Sequence, residues 1–231
     1  MKDRRHKSLA AVAASAQGVG LSLRGAFHPA ATDGVPPLDS GARVGTLVLL
    51  GWTGGTQWPH FAASPEARDG QEHPLDRWSR RVIDDLAGRF GGAALYPFGR
   101  PPYLPFQRWA QKGDEVFPSP LGIFIHPVHG LWHSYRGALG FAERLALPQR
   151  LDRSSPCETC MDKPCLGTCP VSAFQPGHYD VDGCAAHVKS QAGTQCRTGG
   201  CLARRACPVA PHLHYKPDEA GFYVKAFLAA R

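Results

Sequence analysis

The first 156 residues of this 231-residue chain contain no cysteine. A disulfide framework spreads its cysteines along a secreted chain, so disulfides do not organise this stretch. No apolar run reaches the roughly 18 residues that a membrane-spanning helix needs. A Walker-type loop, a GxGxxG and a Ser-His-Asp arrangement are all lacking, which removes the commonest nucleotide-binding and acyl-transfer signatures. Gly51-Trp52-Thr53-Gly54-Gly55 follows a strand-like run but carries little weight alone. The formal charge is +7, yet the basic residues lie in scattered pieces: Arg4-Arg5-His6-Lys7, Arg77 with Arg80-Arg81, and Arg204-Arg205. No basic stripe interleaves with aromatics, so a basic, soluble surface is expected and a nucleic-acid partner is not. Such a surface would instead steer an acidic electron donor or acceptor protein.

What is present suits one large or two small domains. Hydrophobic residues make up 43%, enough for a core, while 26 Gly and 21 Pro predict long loops. The N-terminus, MKDRRHKSLAAVAASAQG, has the basic start and small residues of an export signal. Leu9, Val12, Ala13 and Ala16 nevertheless recur at helical spacing, and strand-like VGLSLRGAF follows. An ordinary helix over 7–17 and a strand over 19–27 are therefore expected. A loop spans 28–43, and the apolar run VGTLVLLGW at 44–52 reads as a buried strand. From Pro74 a helix is expected, with Leu75, Trp78, Val82, Leu86 and Phe90 on one face.

GAALYPF at 92–98 reads as a strand, and FGRPPYLPFQRWAQ as a Pro-rich loop entering a short helix. LGIFIHP and GLWHSYRGAL flank Val128-His129-Gly130 and predict a β-hairpin. Residues 140–156 read as a linker, and a final helix near 218–230 carries Phe222, Phe227 and Leu228.

All eight cysteines fall after residue 156. They read C157-x2-C160-x4-C165-x3-C169-P, then C184, then C196-x4-C201-x5-C207-P. Clustered thiols without a disulfide framework point to metal binding in a reducing compartment, hence the cytoplasm. A [4Fe–4S] cluster takes four thiolates, so eight cysteines complete two. The bacterial run is C-x2-C-x2-C-x3-C-P, in which the fourth cysteine serves the other cluster. This chain has two extra residues between Cys160 and Cys165, which a bulged loop can absorb. Zinc sites pair one C-x2-C with a second, and here only Cys157 and Cys160 are so spaced.

PCETCMDKPCLGTCPVSAF, YDVDGCAAHVKS and CRTGGCLARRACP together resemble the dicluster ferredoxin domain of the epoxyqueuosine reductase family. That family is cobalamin-dependent and acts on tRNA. The resemblance implies one cluster on Cys157, Cys160, Cys165 and Cys207, and another on Cys169, Cys184, Cys196 and Cys201. Upstream, IHPVHGLWHSYRGAL also looks like the cblC-type cobalamin-processing chaperone family. Both families imply a corrinoid-binding relative of the nitroreductase fold, and the matches cover roughly residues 118–208. The reductases' catalytic acid aligns with no Asp or Glu here, so the tRNA reaction is not carried over.

His126, His129, Trp132, His133, Tyr135 and Arg136 crowd into eleven residues. His126, Trp132, Tyr135 and Arg136 are the candidates to line a flat cofactor's pocket, with cobalamin the cofactor the resemblance implies. The alternative is a hairpin that packs against the clusters. The expected fold class is α+β. A nitroreductase-like or cobalamin-chaperone-like domain would cover 1–150, a two-[4Fe–4S] ferredoxin-like domain 151–215, and a C-terminal helix 216–231. The expected function is electron transfer through two clusters to a corrinoid held by the first domain, which would make the protein a reductive oxidoreductase. A ferredoxin-type carrier that docks to a partner enzyme, with no cofactor pocket, is the alternative.

Overall fold

The computed structural model describes residues 7–231. It mixes helices and sheet, as an α+β chain should. Residues Met1–Lys7 hold most of the first basic piece and the start of the export-signal-like stretch, and all but Lys7 lie outside the described residues. Among those described, no helix is long and apolar enough to cross a membrane. The chain divides into two units: residues up to Glu115 with Ser134–Leu151, and Val116–His133 with Asp152–Arg231. One boundary between the units, Leu151/Asp152, lies a residue from the expected one. Residues 116–133 and the final helix both group with the cysteine segment.

The first unit opens with α1 (Leu9–Gly18), β1 (Ser22–Phe27), β2 (Thr46–Thr53) and α2 (Trp58–Ala62). It continues with α3 (Pro74–Phe90), β3 (Ala93–Leu95) and α4 (Phe106–Gly113). The chain then passes through β4 (Phe117–Pro118) and β5 (Phe124–Ile125) of the second unit and returns along β6 (His133–Phe141). Ser8 caps α1 by accepting from the Ala11 amide at 3.2 Å, and Val12 and Ala16 are buried beneath that helix. The sheet runs β1-β2-β6-β3, so the apolar run at 44–52 lies inside it, as a buried strand must. Gly51 and Ser134 face each other so closely that a Cβ at Gly51 would lie 1.7 Å from the Ser134 carbonyl oxygen. α3 buries all five residues of its expected face, and Gly91 ends it in the left-handed conformation at φ 63°.

Two sequence expectations differ from what forms. The strand at 92–98 shrinks to β3, because Pro97 has no N–H for a ladder and the chain turns away. The hairpin at 121–139 does not form as one unit. β5 pairs with β4, and β6 joins the sheet between β2 and β3. Only a local bridge survives, where His126 and Gly130 exchange backbone hydrogen bonds of 2.8 Å in each direction. The reason is burial: Gly137–Phe141 are all buried in the sheet, a gain two short strands cannot offer. The expected linker is also partly packed, since the Leu145 amide donates to Thr46 Oγ1 at 2.8 Å.

The second unit has many short elements: α5 (Pro156–Thr159), α6 (Pro164–Gly167), β7 (Phe174–Gln175) and β8 (His178–Tyr179). α7 (Val181–Lys189), α8 (Thr194–Gly199), α9 (Leu202–Arg205) and α10 (Pro217–Ala229) follow. One core cluster here consists of Leu121, Ile125, Leu131, Ala203 and Cys207, with Cys157, Cys165, Cys169 and Cys201 packed against it. Gly130 sits at φ 56°, and a Cβ there would lie 2.3 Å from the Val209 carbonyl oxygen. That close approach locks residues 116–133 onto the segment after Cys207.

One buried ionic network knits the first unit. Arg24 on β1 donates to Asp114 Oδ2 at 2.9 Å, and the Tyr135 hydroxyl on β6 donates to the same oxygen at 2.7 Å. Arg24 and Asp114 side chains are both nearly inaccessible to water. Removing one partner leaves a buried charge unpaired, which costs roughly 3–5 kcal/mol. Asp114→Ala should therefore destabilise the first unit by about that amount in urea unfolding, whereas replacing both Arg24 and Asp114 with apolar residues should cost less. A single-variant loss under about 1 kcal/mol would show that the pair is not uncompensated by its removal.

Candidate metal centre

The eight cysteines fall into two cavities of the second unit. Cys157, Cys160, Cys165 and Cys207 line the first, of about 290 Å³. Cys169, Cys184, Cys196 and Cys201 line the second, of about 180 Å³. Each volume is several times the roughly 30 Å³ share of one water. Zinc–sulfur bonds of about 2.3 Å would draw the sulfurs close around one point. Among the described residues, no three His, Cys, Asp or Glu side chains could hold a single metal ion, the three histidines at 126–133 included. Four thiols spread around a cavity are the donor set a cubane needs.

Local chain geometry builds each set. Ser155 caps α5 and accepts from the Cys157 amide at 3.3 Å, which fixes Cys157 at the start of that helix. The two additional residues after Cys160 bulge outward, leaving Met161 87% exposed, and Lys163 turns the chain at φ 37° into α6 with Cys165. Cys169 follows α6 and serves the other cavity. Cys184 rides on α7, Cys196 on α8, and Cys201 precedes α9. Cys207, just past α9, returns to the first cavity. Each local trio thus receives its fourth thiol from the other trio's stretch of chain.

Electrostatics follow the same partition. Burial pushes the Cys157 thiol up, reinforced by Cys207 and Cys160, and likewise Cys165, reinforced by Cys207, Cys157 and Cys160. Burial pushes up Cys196 and Cys201, with Cys184 adding to both. It also pushes up Cys207, with Cys160 adding to it. Crowded thiolates repel, so each set is poised for a cationic group that stabilises the ionised form. Backbone N–H groups oppose the rise: Leu202 at Cys196, Arg204 and Ala203 at Cys201, and Val209 at Cys207. The Ala173 amide donates to Cys169 Sγ at 3.3 Å. Burial, then its bond to Cys184, raises the Tyr179 phenol, and Phe174 stacks on that ring at 4.7 Å.

Of the four candidates for a flat-cofactor pocket, Trp132 alone lines a cysteine cavity, the second one. His126 is buried, and its Nδ1 accepts from the Val128 and His129 amides at 2.9 and 3.2 Å. Tyr135 donates to Asp114, as above. Arg136 pairs with Asp76 and donates to Ser79 Oγ at 3.0 Å. These last two residues belong to the first unit, so the four do not form one group. The scattered basic pieces are engaged too. Arg77 pairs with Asp69 at 2.7 Å, and Arg81 pairs with Glu66 at 2.6 Å, which pulls the Glu66 carboxyl down to about 2.

Several residues around the second cavity had no functional assignment from sequence: Tyr179, Arg204, Tyr215, Tyr223 and Phe227. Nearby, Glu219 on α10 is 1% exposed, and burial pushes its carboxyl up to about 7. The apolar residues of the final helix pointed to something buried, but not to what.

No protein-family model matches the chain, and no curated protein does. Among solved structures, an epoxyqueuosine reductase with a tRNA-Tyr epoxyqueuosine-modified tRNA stem loop is similar to it, at 12% identity and a TM-score of 0.46. The match covers 91% of this chain and 69% of that one. It is a distant likeness only. The expectation that nucleic acid is not a partner is nevertheless corrected, because that structure was solved with a tRNA stem loop.

Two outcomes follow for the site. On the two-cluster reading proposed below, Cys157→Ala and Cys169→Ala should each abolish a different one of two iron–sulfur signals in electron paramagnetic resonance, and loss of the same signal by both would break the partition. For Glu219, the folded carboxyl titrates above its ordinary value of 4.5. Its ionisation therefore costs nothing well below pH 4.5, and the cost builds between pH 4.5 and about 7 and stays in full above that. Glu219→Gln should raise the melting temperature at pH 8 relative to the parent protein but not at pH 4. Equal effects at both pH values would contradict this.

Proposed function

We propose that the second unit is an electron-transfer module that holds two [4Fe–4S] clusters, one on Cys157, Cys160, Cys165 and Cys207, the other on Cys169, Cys184, Cys196 and Cys201. The observation that carries this reading is the sorting of eight thiols, four and four, into two separate cavities. When bound, each cluster would supply one-electron transfer. The chain's own residues do the rest. Cysteine thiolates ligate, and backbone amides at Cys169, Cys196, Cys201 and Cys207 favour the ionised sulfur. Phe174, Trp132 and Tyr179 line the second cavity with aromatic surface. Cys165 and Cys169 are four residues apart and serve different cavities, so the two sites are neighbours along the chain.

The resemblance in residues 118–208 makes a corrinoid in the first unit the acceptor to test, and the protein would then be a reductive oxidoreductase of the reducing cytoplasm. A carrier that docks to an acidic redox protein is the second reading. It is favoured by Tyr135 and Arg136, whose polar ends are already bonded to Asp114 and to Ser79 and Asp76. The two readings separate on one titration: cobalamin added to the purified protein shifts the visible spectrum under the first and leaves it unchanged under the second.

Protein purified without oxygen should carry about eight iron and eight sulfide per chain, since each cubane takes four of each. Zinc in place of iron, or half the iron, would overturn the two-cluster reading.

A further inference from the structure

The second cavity has a clamped cation in its wall. Arg204 lines it together with Cys169, Cys184, Cys196 and Cys201. Its Nε and Nη2 both donate to the Leu131 carbonyl, at 3.2 and 2.6 Å, and Nη2 also donates to the Tyr215 hydroxyl at 3.3 Å. The guanidinium carbon lies 4.4 Å from the Trp132 ring centre and 4.7 Å from that of Tyr215. These partners are neutral, so they hold the charge in place without cancelling it. An arginine stays charged at every working pH. Glu219 is the carboxyl that feels Arg204, and Arg205 and His214 are its other titratable neighbours in this part of the unit. The first cavity's wall cation is Lys163, which is exposed to water. Solvent and salt screen such a charge, whereas Arg204 is half-buried and held by its carbonyl and ring partners, so less of its charge is screened.

We propose that Arg204 is a positioning residue for electrons: its fixed charge raises the reduction potential at the Cys169, Cys184, Cys196 and Cys201 site above that at the Cys157, Cys160, Cys165 and Cys207 site. This rests on the two-cluster reading. Reduction of a site takes one electron from an external one-electron donor and leaves one more negative charge there, with no bond made or broken and no proton required. That added charge is attracted to the guanidinium at the second site and is met by water-screened Lys163 at the first. Electrons entering the unit therefore collect at the second site, which becomes the one that discharges to the acceptor.

The test is a dithionite titration followed by electron paramagnetic resonance. Iron and sulfide are counted first, so a failure of the two-cluster reading shows as missing iron in the parent protein and not as a missing shift. Two midpoint potentials are expected in the parent. Cys184→Ser should remove the higher-potential signal. Arg204→Gln should lower that potential and leave the other in place, and Arg204→Lys, which keeps a cation, should restore most of the shift. A fully loaded Arg204→Gln protein with both potentials unchanged, or with only the other one moved, overturns the proposal. If Arg204→Gln fails to hold iron, the parent protein and Cys184→Ser still decide: loss of the lower-potential signal in Cys184→Ser overturns it.

Discussion

Cys169 and Cys207 exchange places. Each stands in the chain beside one trio of cysteines and lines the cavity of the other. The rest of the second unit depends on this exchange. Its elements are short, most of them two to nine residues, and none could bury a large apolar face alone. Its named core cluster has five buried members, one of them Cys207 itself. On the proposed two-cluster reading, shared groups would tie distant segments together, which couples ligand binding to folding. The exchange ties 156–169 to 184–207 twice, from opposite ends. Gly130 against Val209 then fastens 116–133 to the same scaffold.

The first unit has the opposite construction. A central apolar strand, a long amphipathic helix and a buried ionic network stabilise it through packing alone. Its cysteine-free sequence fits that role. The ionic network and a separate pair hold two of the residues expected to line a cofactor's pocket. Tyr135 is spent on Asp114, and Arg136 on Ser79 and Asp76, between Trp52 and Phe98. A residue type that suits a ligand also suits a helix-to-sheet strut, and local sequence cannot separate the two roles.

This explains what was legible in the sequence and what was not. α3 and β2 were readable because a helix-period stripe and an unbroken apolar run each admit one burial geometry. The clustering of all eight cysteines after residue 156 was plain in the sequence, and their ligand role is the proposal made above. The proposed hairpin was not, because β6 exchanges a local partner for two distant ones, β2 and β3, and nothing within 121–139 encodes them. Arg204 was read only as part of a basic surface, since Trp132 and Tyr215 lie far from it in sequence and meet it only in the folded unit. The aromatic wall from α10 was hidden for the same reason. Long-range pairing is where local pattern has no purchase.

The sorting of eight thiols, four and four, into two cavities is the observation on which the proposal of two clusters in one small unit rests. Anomalous diffraction at the iron edge, from crystals grown without oxygen, tests it most directly. Two peaks are expected, one within the Cys157, Cys160, Cys165 and Cys207 cavity and one within the Cys169, Cys184, Cys196 and Cys201 cavity. A single peak, or a signal at the zinc edge in either place, would contradict it.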